Sequence, residues 1–268
     1  MSARTALPPL VLALHQTPLR ATWSPLAVGA GPLRSLLSNL LDRGYTFLTL
    51  DQIGPDGPPP GSALLTVDDG YASTLEVLAP LARELGIPWS VFLLVAAVGA
   101  RNDWDLHGVS LPERHLREEE IVALAQEGVG IGSHGMHHLD ATRLADTALA
   151  EELTASRAWL ERVTGRRVDA LSYPWGRVDI RVAKAARAAG YRLGFVLRGG
   201  RGARRVHDAV PGLSIPRLAL YAPDQIPGLF AATALRAPRA GRYLREGAGA
   251  VGGWLVARAL ALSGRAHA

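Results

Sequence analysis

The sequence predicts an α/β barrel, irregular and built from seven or eight strand–helix units with parallel strands inside and helices outside. Two observations carry this. Short apolar runs alternate along the chain with amphipathic helical patterns, the signature of parallel strands joined by helical crossovers. The residues of chemical interest also fall just after those runs, at the strand ends where such barrels place their active sites.

The strand candidates are Leu10–Leu14, Thr46–Leu50, Ala63–Asp68, Trp89–Val95, Val129–Gly132, Ala170–Tyr173, Leu193–Leu197 and Leu213–Leu218. Leu33, Leu36, Leu37, Leu40 and Leu41 recur at the spacing of one helix face that ends at Gly44. Leu75, Leu78, Leu81, Ala82 and Leu85 repeat the pattern up to Gly86. Longer helical patterns span Asp140–Thr164, closed by Gly165, and Asp179–Ala189, closed by Gly190. Ile53–Gly61 reads as a stiff Pro/Gly loop, and Gly99–Arg117 as a long polar insertion containing Trp104.

Composition narrows the options. Hydrophobic residues make up 48% and charged residues 20% of 268 residues, which suits a globular chain and excludes a disordered one. There is no cysteine, so disulfides, thiolate metal sites and a cysteine nucleophile are excluded. Residues 181–268 hold 15 Lys+Arg against 3 acidic residues, whereas residues 1–180 hold 14 against 21. A basic final third suits an anionic neighbour such as a lipid phosphate or a membrane surface; its bland alternative is a solvated, arginine-rich surface. The apolar run after Arg4 is short, carries Pro8-Pro9 and lacks a cleavage pattern, so it reads as a strand rather than a signal peptide. No stretch reaches the ~20 apolar residues of a transmembrane helix. The expectation is a cytoplasmic protein with peripheral contact at the inner membrane face.

Four strand ends carry chemistry. Thr66-Val67-Asp68-Asp69-Gly70 sets two carboxylates side by side, one able to hold a metal while the other acts as a base; the structural alternative is a pair of helix N-caps. Ser133-His134-Gly135-Met136-His137-His138 places His134 and His138 four residues apart, so that on a helical turn both could chelate one ion while His137 points elsewhere. Ser172-Tyr173-Pro174-Trp175-Gly176 is a turn whose backbone N–H groups could face an oxyanion. His15 leaves the first strand at the same end and could serve as a general acid. Trp104, Trp175 and Tyr173 are candidate sugar-stacking rings, and Arg198, Arg201, Arg204 and Arg205 candidate contacts to a phosphate or uronate; packing and a solvated loop are the respective alternatives.

These motifs resemble those of the NodB-homology polysaccharide deacetylases (carbohydrate esterase family 4). T-V-D-D-G is similar to their T-F-D-D-G, H-G-M-H-H to their H-S/T-x-x-H, and S-Y-P-W-G to a relaxed R-x-P-Y, in order over about residues 10–220. The resemblance implies a NodB-type (β/α) barrel over residues 1–220, with 221–268 an Arg/Ala/Gly-rich extension. It implies Asp68 as catalytic base, Asp69, His134 and His138 as metal ligands, and the Trp175 backbone N–H as oxyanion donor. Tyr173, Pro174, Trp104 and Arg198 are the expected substrate contacts. The family's late acid histidine has no counterpart before His267, so His15 takes that role, as in a permuted branch that includes exopolysaccharide deacetylases. The cofactor implied is Zn2+, or Co2+, Mn2+ or Ni2+. The expected partner is a carbohydrate, with a lipid phosphate as candidate carrier; no nucleic-acid motif occurs, and the oligomeric state is open.

Three departures stand out. Gly135 replaces a Ser/Thr, Ser172 stands where many members have the arginine that tunes the base, and no D-x-x-D-W-like motif follows. The competing expectations are a deformylase or other amide hydrolase on the same scaffold, and an inactive sugar-binding relative.

Overall fold

A computed structural model describes residues 7–19, 26–101, 113–197 and 203–220. Its strands are β1 (Leu10–Leu14), β2 (Thr46–Phe47), β3 (Ser62–Val67), β4 (Ser90–Leu93), β5 (Gly130–Ser133), β6 (Ala170–Ser172), β7 (Leu193–Leu197) and β8 (Ile215–Ala219). All pairings between them are parallel, in the order β1-β8-β7-β6-β5-β4-β3, and β1 also pairs with β3. That last pairing closes a seven-stranded barrel. β2 is a two-residue rung on β3, at Thr46↔Ser62 and Phe47↔Ala63. It lies on the edge opposite β1, below the stretch of β3 that pairs with β4.

Among the described residues, six α-helices surround the barrel: α1 (Ala30–Asp42), α2 (Ala79–Leu85), α3 (Glu118–Gln126), α4 (Asp146–Thr164), α5 (Ile180–Ala188) and α6 (Ala203–Ala209). α1 buries Leu33, Leu36, Leu37 and Leu40, the stripe its spacing predicts. α2 is preceded by a π turn at Thr74–Leu78 and ends at Gly86 in the left-handed conformation.

Covered on both faces, β1 and β3 are buried at every residue, which explains why they read as continuous apolar runs. Side chains still alternate. Leu10, Leu12, Leu14, Leu65 and Val67 pack outward beneath the helices. Val11, Leu64, Phe92, Ala170, Leu193, Phe195 and Ile215 form a separate cluster that fills the barrel. Phe92 needs room there, and β5 supplies it: a Cβ on Gly132 would sit 2.4 Å from the Phe92 ring.

Several expected boundaries move. The strand expected over Thr46–Leu50 stops at Phe47, and Leu50–Gln52 is a 3-10 turn capped by Thr49 and Gln52. The strand expected over Trp89–Val95 stops at Leu93, before a 3-10 turn at Val95–Ala97. The Asp140–Thr164 helix divides into a 3-10 turn at Ala141–Arg143, begun by the Asp140 carboxylate accepting from the Thr142 N–H, and α4, because Leu144 and Ala145 between them have extended backbone. α3 went unpredicted although Glu118, Glu119 and Glu120 load its first turn and Glu120 accepts from the Arg117 N–H at 2.7 Å. α6 holds Arg204 and Arg205, where a solvated loop was the bland expectation. Trp104, Arg198, Arg201 and the 221–268 extension lie outside the described residues. Among the described residues, no helix is long and apolar enough to cross a membrane.

Candidate active site

Strand parity determines what the barrel's C-terminal mouth contains. Continuing the inward positions upward gives Ala13 then His15 from β1, Thr66 then Asp68 from β3, and Gly132 then His134 from β5. β6 and β8 contribute Ser172 and Arg217. Apolar side chains fill the barrel floor, and these polar groups form the layer above it.

Asp68 is 2% exposed and Arg217 1%. Arg217 Nη1 donates to Asp68 Oδ1 (2.7 Å) and to Thr66 Oγ1 (3.0 Å); Nη2 donates to Asp68 Oδ2 (2.5 Å) and to Ser172 Oγ (2.7 Å). The Ser172 hydroxyl donates to Asp68 Oδ2 at 3.1 Å, and Thr66 Oγ1 to the Leu12 carbonyl at 2.6 Å. The guanidinium also lies 5.5 Å from the Phe92 ring and 6.0 Å from that of Phe195. Burial opposes ionisation of Asp68, but the charges of Arg217, His134 and His15 and the Arg217 hydrogen bonds outweigh it. The carboxyl is therefore held well below the usual carboxylate range. Three donated bonds leave a carboxylate about one free acceptor site. Neither aspartate is a helix cap: the helical segment after them starts at Thr74.

Asp69 faces the two histidines. His134 Nε2 lies 3.4 Å from Asp69 Oδ1 and His138 Nε2 3.7 Å from the same atom; one ligand atom from each of the three residues lies within 4.8 Å of the others. A tetrahedral shell with bonds near 2.05 Å has ligand–ligand edges of about 3.3 Å, so the spacing fits a divalent ion. His134 Nδ1–H donates to the Ser172 carbonyl at 2.8 Å, which leaves the Nε2 lone pair directed at the site. Burial lowers the His134 pKa; burial and then the neighbouring His134 charge push His138 down to about 3. Both imidazoles are thus neutral at pH 7, the form a metal requires.

The histidines do not converge on a helical turn, as their spacing suggested. They sit in a loop after β5, and His138 has a positive φ of 58°. Among the described residues, only two other non-glycine residues do the same, Asp69 (φ 69°) and Trp175 (φ 61°). Left-handed backbone at such residues costs about 1–3 kcal/mol each, and here all three border one site. His137 points away, its Nδ1 2.9 Å from Glu152 Oε2. Glu152 also accepts from the Met136 and His137 N–H groups, both at 2.7 Å, and so holds the loop.

Of the remaining candidates, His15 directly follows β1, is half-buried, and is close enough for its charge to lower the pKa of both Asp68 and His138. Trp175 is 55% exposed and its ring lies 4.8 Å from that of His138. Tyr173 and Pro174 are corrections: both are buried, with Tyr173 1% exposed against Gly194, so neither presents a face to a sugar. The sequence reading missed two groups. Arg217 was legible as the single charged residue of its apolar strand. His115, in the polar insertion, gave no local signal; its Nδ1–H donates to the Asp69 carbonyl at 2.8 Å.

A parallel seven-stranded barrel with an Asp-His-His cluster and an arginine-paired aspartate at its mouth defines an α/β barrel protein with a candidate metal site. The chain belongs to the polysaccharide deacetylase family: the family model matches residues 56–194. His15 and Arg217 lie on either side of that segment. The chain is 26% identical over 170 residues to YxkH of Bacillus subtilis (strain 168), covering 62% of this chain and 57% of YxkH. It thus spans little more than half the length of that relative. IcaB from Ammonifex degensii superposes with a TM-score of 0.69 at 21% identity, covering 85% of this chain and 97% of that one. The Streptococcus pyogenes deacetylase PplD, in complex with acetate, gives 0.65 at 18% identity over 83% and 97%. These likenesses show the shared (β/α)7 barrel fold.

Proposed function

We propose that the protein is a metal-dependent hydrolase that removes the N-acetyl group from an amino sugar in a poly- or oligosaccharide or a lipid-linked glycan precursor. The observation that carries this is the pairing of a buried carboxylate, Asp68, fixed by Arg217, with the adjacent Asp69-His134-His138 cluster. Family membership supports the reaction, and the basic final third supports an anionic carrier on charge grounds.

Asp69, His134 and His138 would hold the ion. When bound, zinc or a similar divalent ion would polarise the acyl oxygen and acidify a water. Asp68, fixed by Arg217 and Ser172, takes the water's proton at its remaining acceptor site. The Trp175 backbone N–H stabilises the developing oxyanion. The turn that presents it is closed by other amides, Gly176 N–H to the Tyr173 carbonyl and Arg177 N–H to that of Pro174. One such donor is worth about 3–4 kcal/mol in the barrier. His15 supplies the proton that lets nitrogen leave as an amine, giving acetate and a free amino sugar.

Acetate release from a panel of N-acetyl sugars and lipid-linked precursors, with N-formyl analogues alongside and defined zinc, tests this. Wild type is expected to release acetate and folded Asp68→Asn to lose at least about 100-fold, the lower range for a general base. Equal rates for the two proteins would remove Asp68 as base, and formate release alone would redirect the reading to a deformylase.

A further inference from the structure

Two of the three candidate metal ligands, Asp69 and His138, have left-handed backbone. Each has its own carbonyl held by a ring N–H from another part of the chain. The Asp69 carbonyl accepts from His115 Nδ1–H at 2.8 Å; the His138 carbonyl accepts from Trp175 Nε1–H at 3.2 Å. A carbonyl can only accept, so the proton of His115 is on Nδ1.

Both rings are themselves fixed. His115 is buried, its ring centroid lies 4.6 Å from that of Tyr71, and its backbone N–H donates to the Ala100 carbonyl at 2.8 Å. Its neighbours tie down the same loop. The Leu116 N–H donates to the Gly70 carbonyl (2.7 Å), the Ala72 N–H to the Arg114 carbonyl (2.8 Å), and the Ser73 N–H to Glu113 Oε1 (2.7 Å). The returning end of the long insertion is therefore a strap across the Asp68–Ser73 loop. Trp175 reaches His138 from the turn after β6, ring against ring.

From this arrangement we infer that His115 and Trp175 are positioning residues for the metal centre: their ring N–H groups hold Asp69 and His138 in the left-handed backbone that points both side chains at the ion. The inference rests on the Asp-His-His cluster being a metal site. A peptide that rotates back to the right-handed region turns its carbonyl away from the clamp and its side chain away from the cluster. Each clamp is satisfied only in the ligand-competent conformer. Removing one lowers the competent fraction, and apparent metal affinity falls in proportion. Groups that orient ligands in this way typically change affinity 10–100-fold.

The test is zinc affinity by competition with a chromophoric chelator, alongside unfolding of the metal-free proteins in EDTA. His115→Phe keeps a ring against Tyr71 and removes the N–H; His115→Asn returns a donor near the Nδ1 position; Trp175→Phe keeps the ring over His138. We expect His115→Phe to weaken zinc binding 10–100-fold, His115→Asn to recover to within about threefold of wild type, and Trp175→Phe to weaken binding about 3–10-fold with metal-free stability nearly unchanged. Wild-type affinity in both phenylalanine variants would overturn the clamp while leaving the metal site intact. So would equal losses in His115→Phe and His115→Asn that track metal-free stability, since packing alone would then explain them. Absence of zinc binding by wild type would overturn the metal reading itself, and the clamp with it.

Discussion

Replacing Arg217 by methionine isolates the energetic role of the buried ion pair. Methionine keeps an unbranched apolar side chain in place of the arginine stem, while the guanidinium that lies near the Phe92 and Phe195 rings is removed. What disappears is the guanidinium and the four hydrogen bonds it donates to Asp68, Thr66 and Ser172. Asp68 keeps one side-chain donor, the Ser172 hydroxyl, in a nearly inaccessible position. Breaking a buried pair on one side costs about 3–5 kcal/mol, because the other charge stays buried without compensation. Asp68→Asn breaks the pair from the other side and should also destabilise. The double variant buries neither charge, so its loss should fall short of the sum of the singles by about 2–3 kcal/mol. Urea unfolding followed by circular dichroism, in EDTA so that metal binding does not contribute, measures all four corners. A loss below about 1 kcal/mol in Arg217→Met, or additivity within about 0.5 kcal/mol, would show that Asp68 and Arg217 are not a coupled charged pair.

Two further outcomes follow from the geometry. Gly132→Ala drives a Cβ to 2.4 Å from the Phe92 ring and should lower stability by about 1–3 kcal/mol; an unchanged thermal midpoint would mean that the barrel interior has spare room. Glu120 bonds Arg114 Nη1 and Nη2 and the Arg117 N–H, and although burial opposes it, these partners lower its pKa. A lowered carboxyl stabilises the fold above its unfolded value of about 4.3, and that contribution is lost as pH falls through the folded value. Glu120→Gln should therefore cost under about 1 kcal/mol at pH 7, with the gap to wild type closing below about pH 4. A gap of the same size at pH 7 and pH 3 would contradict the ionic origin.

Much of the candidate site was legible because it is locally written. Asp68-Asp69-Gly70 and His134 through His138 follow apolar runs directly, and each motif lies within a few residues of its own strand end. The sequence also presented Ser172 where the family tends to keep an arginine, which left open what pairs with Asp68. The structure answers with Arg217, 149 residues beyond Asp68. It enters the site because β8 pairs with β1, β1 pairs with β3, and Arg217 shares the inward parity of Ile215. The burial of Tyr173 was equally hidden, since a strand-end aromatic reads the same whether its ring faces solvent or core.

The alternation of strands and helices, the apolar stripes such as Leu33–Leu40, and the identity of the carboxylates and imidazoles at the barrel mouth were all readable along the chain. All of these depend on periodicity or on neighbours along the chain. Which groups meet depends on the folded barrel: Arg217 on Asp68, His115 on the Asp69 carbonyl, Trp175 on that of His138. The physical reason is closure. A parallel barrel brings strand ends together through long-range pairing, and left-handed φ values at Asp69 and His138 persist only because that surrounding structure holds them.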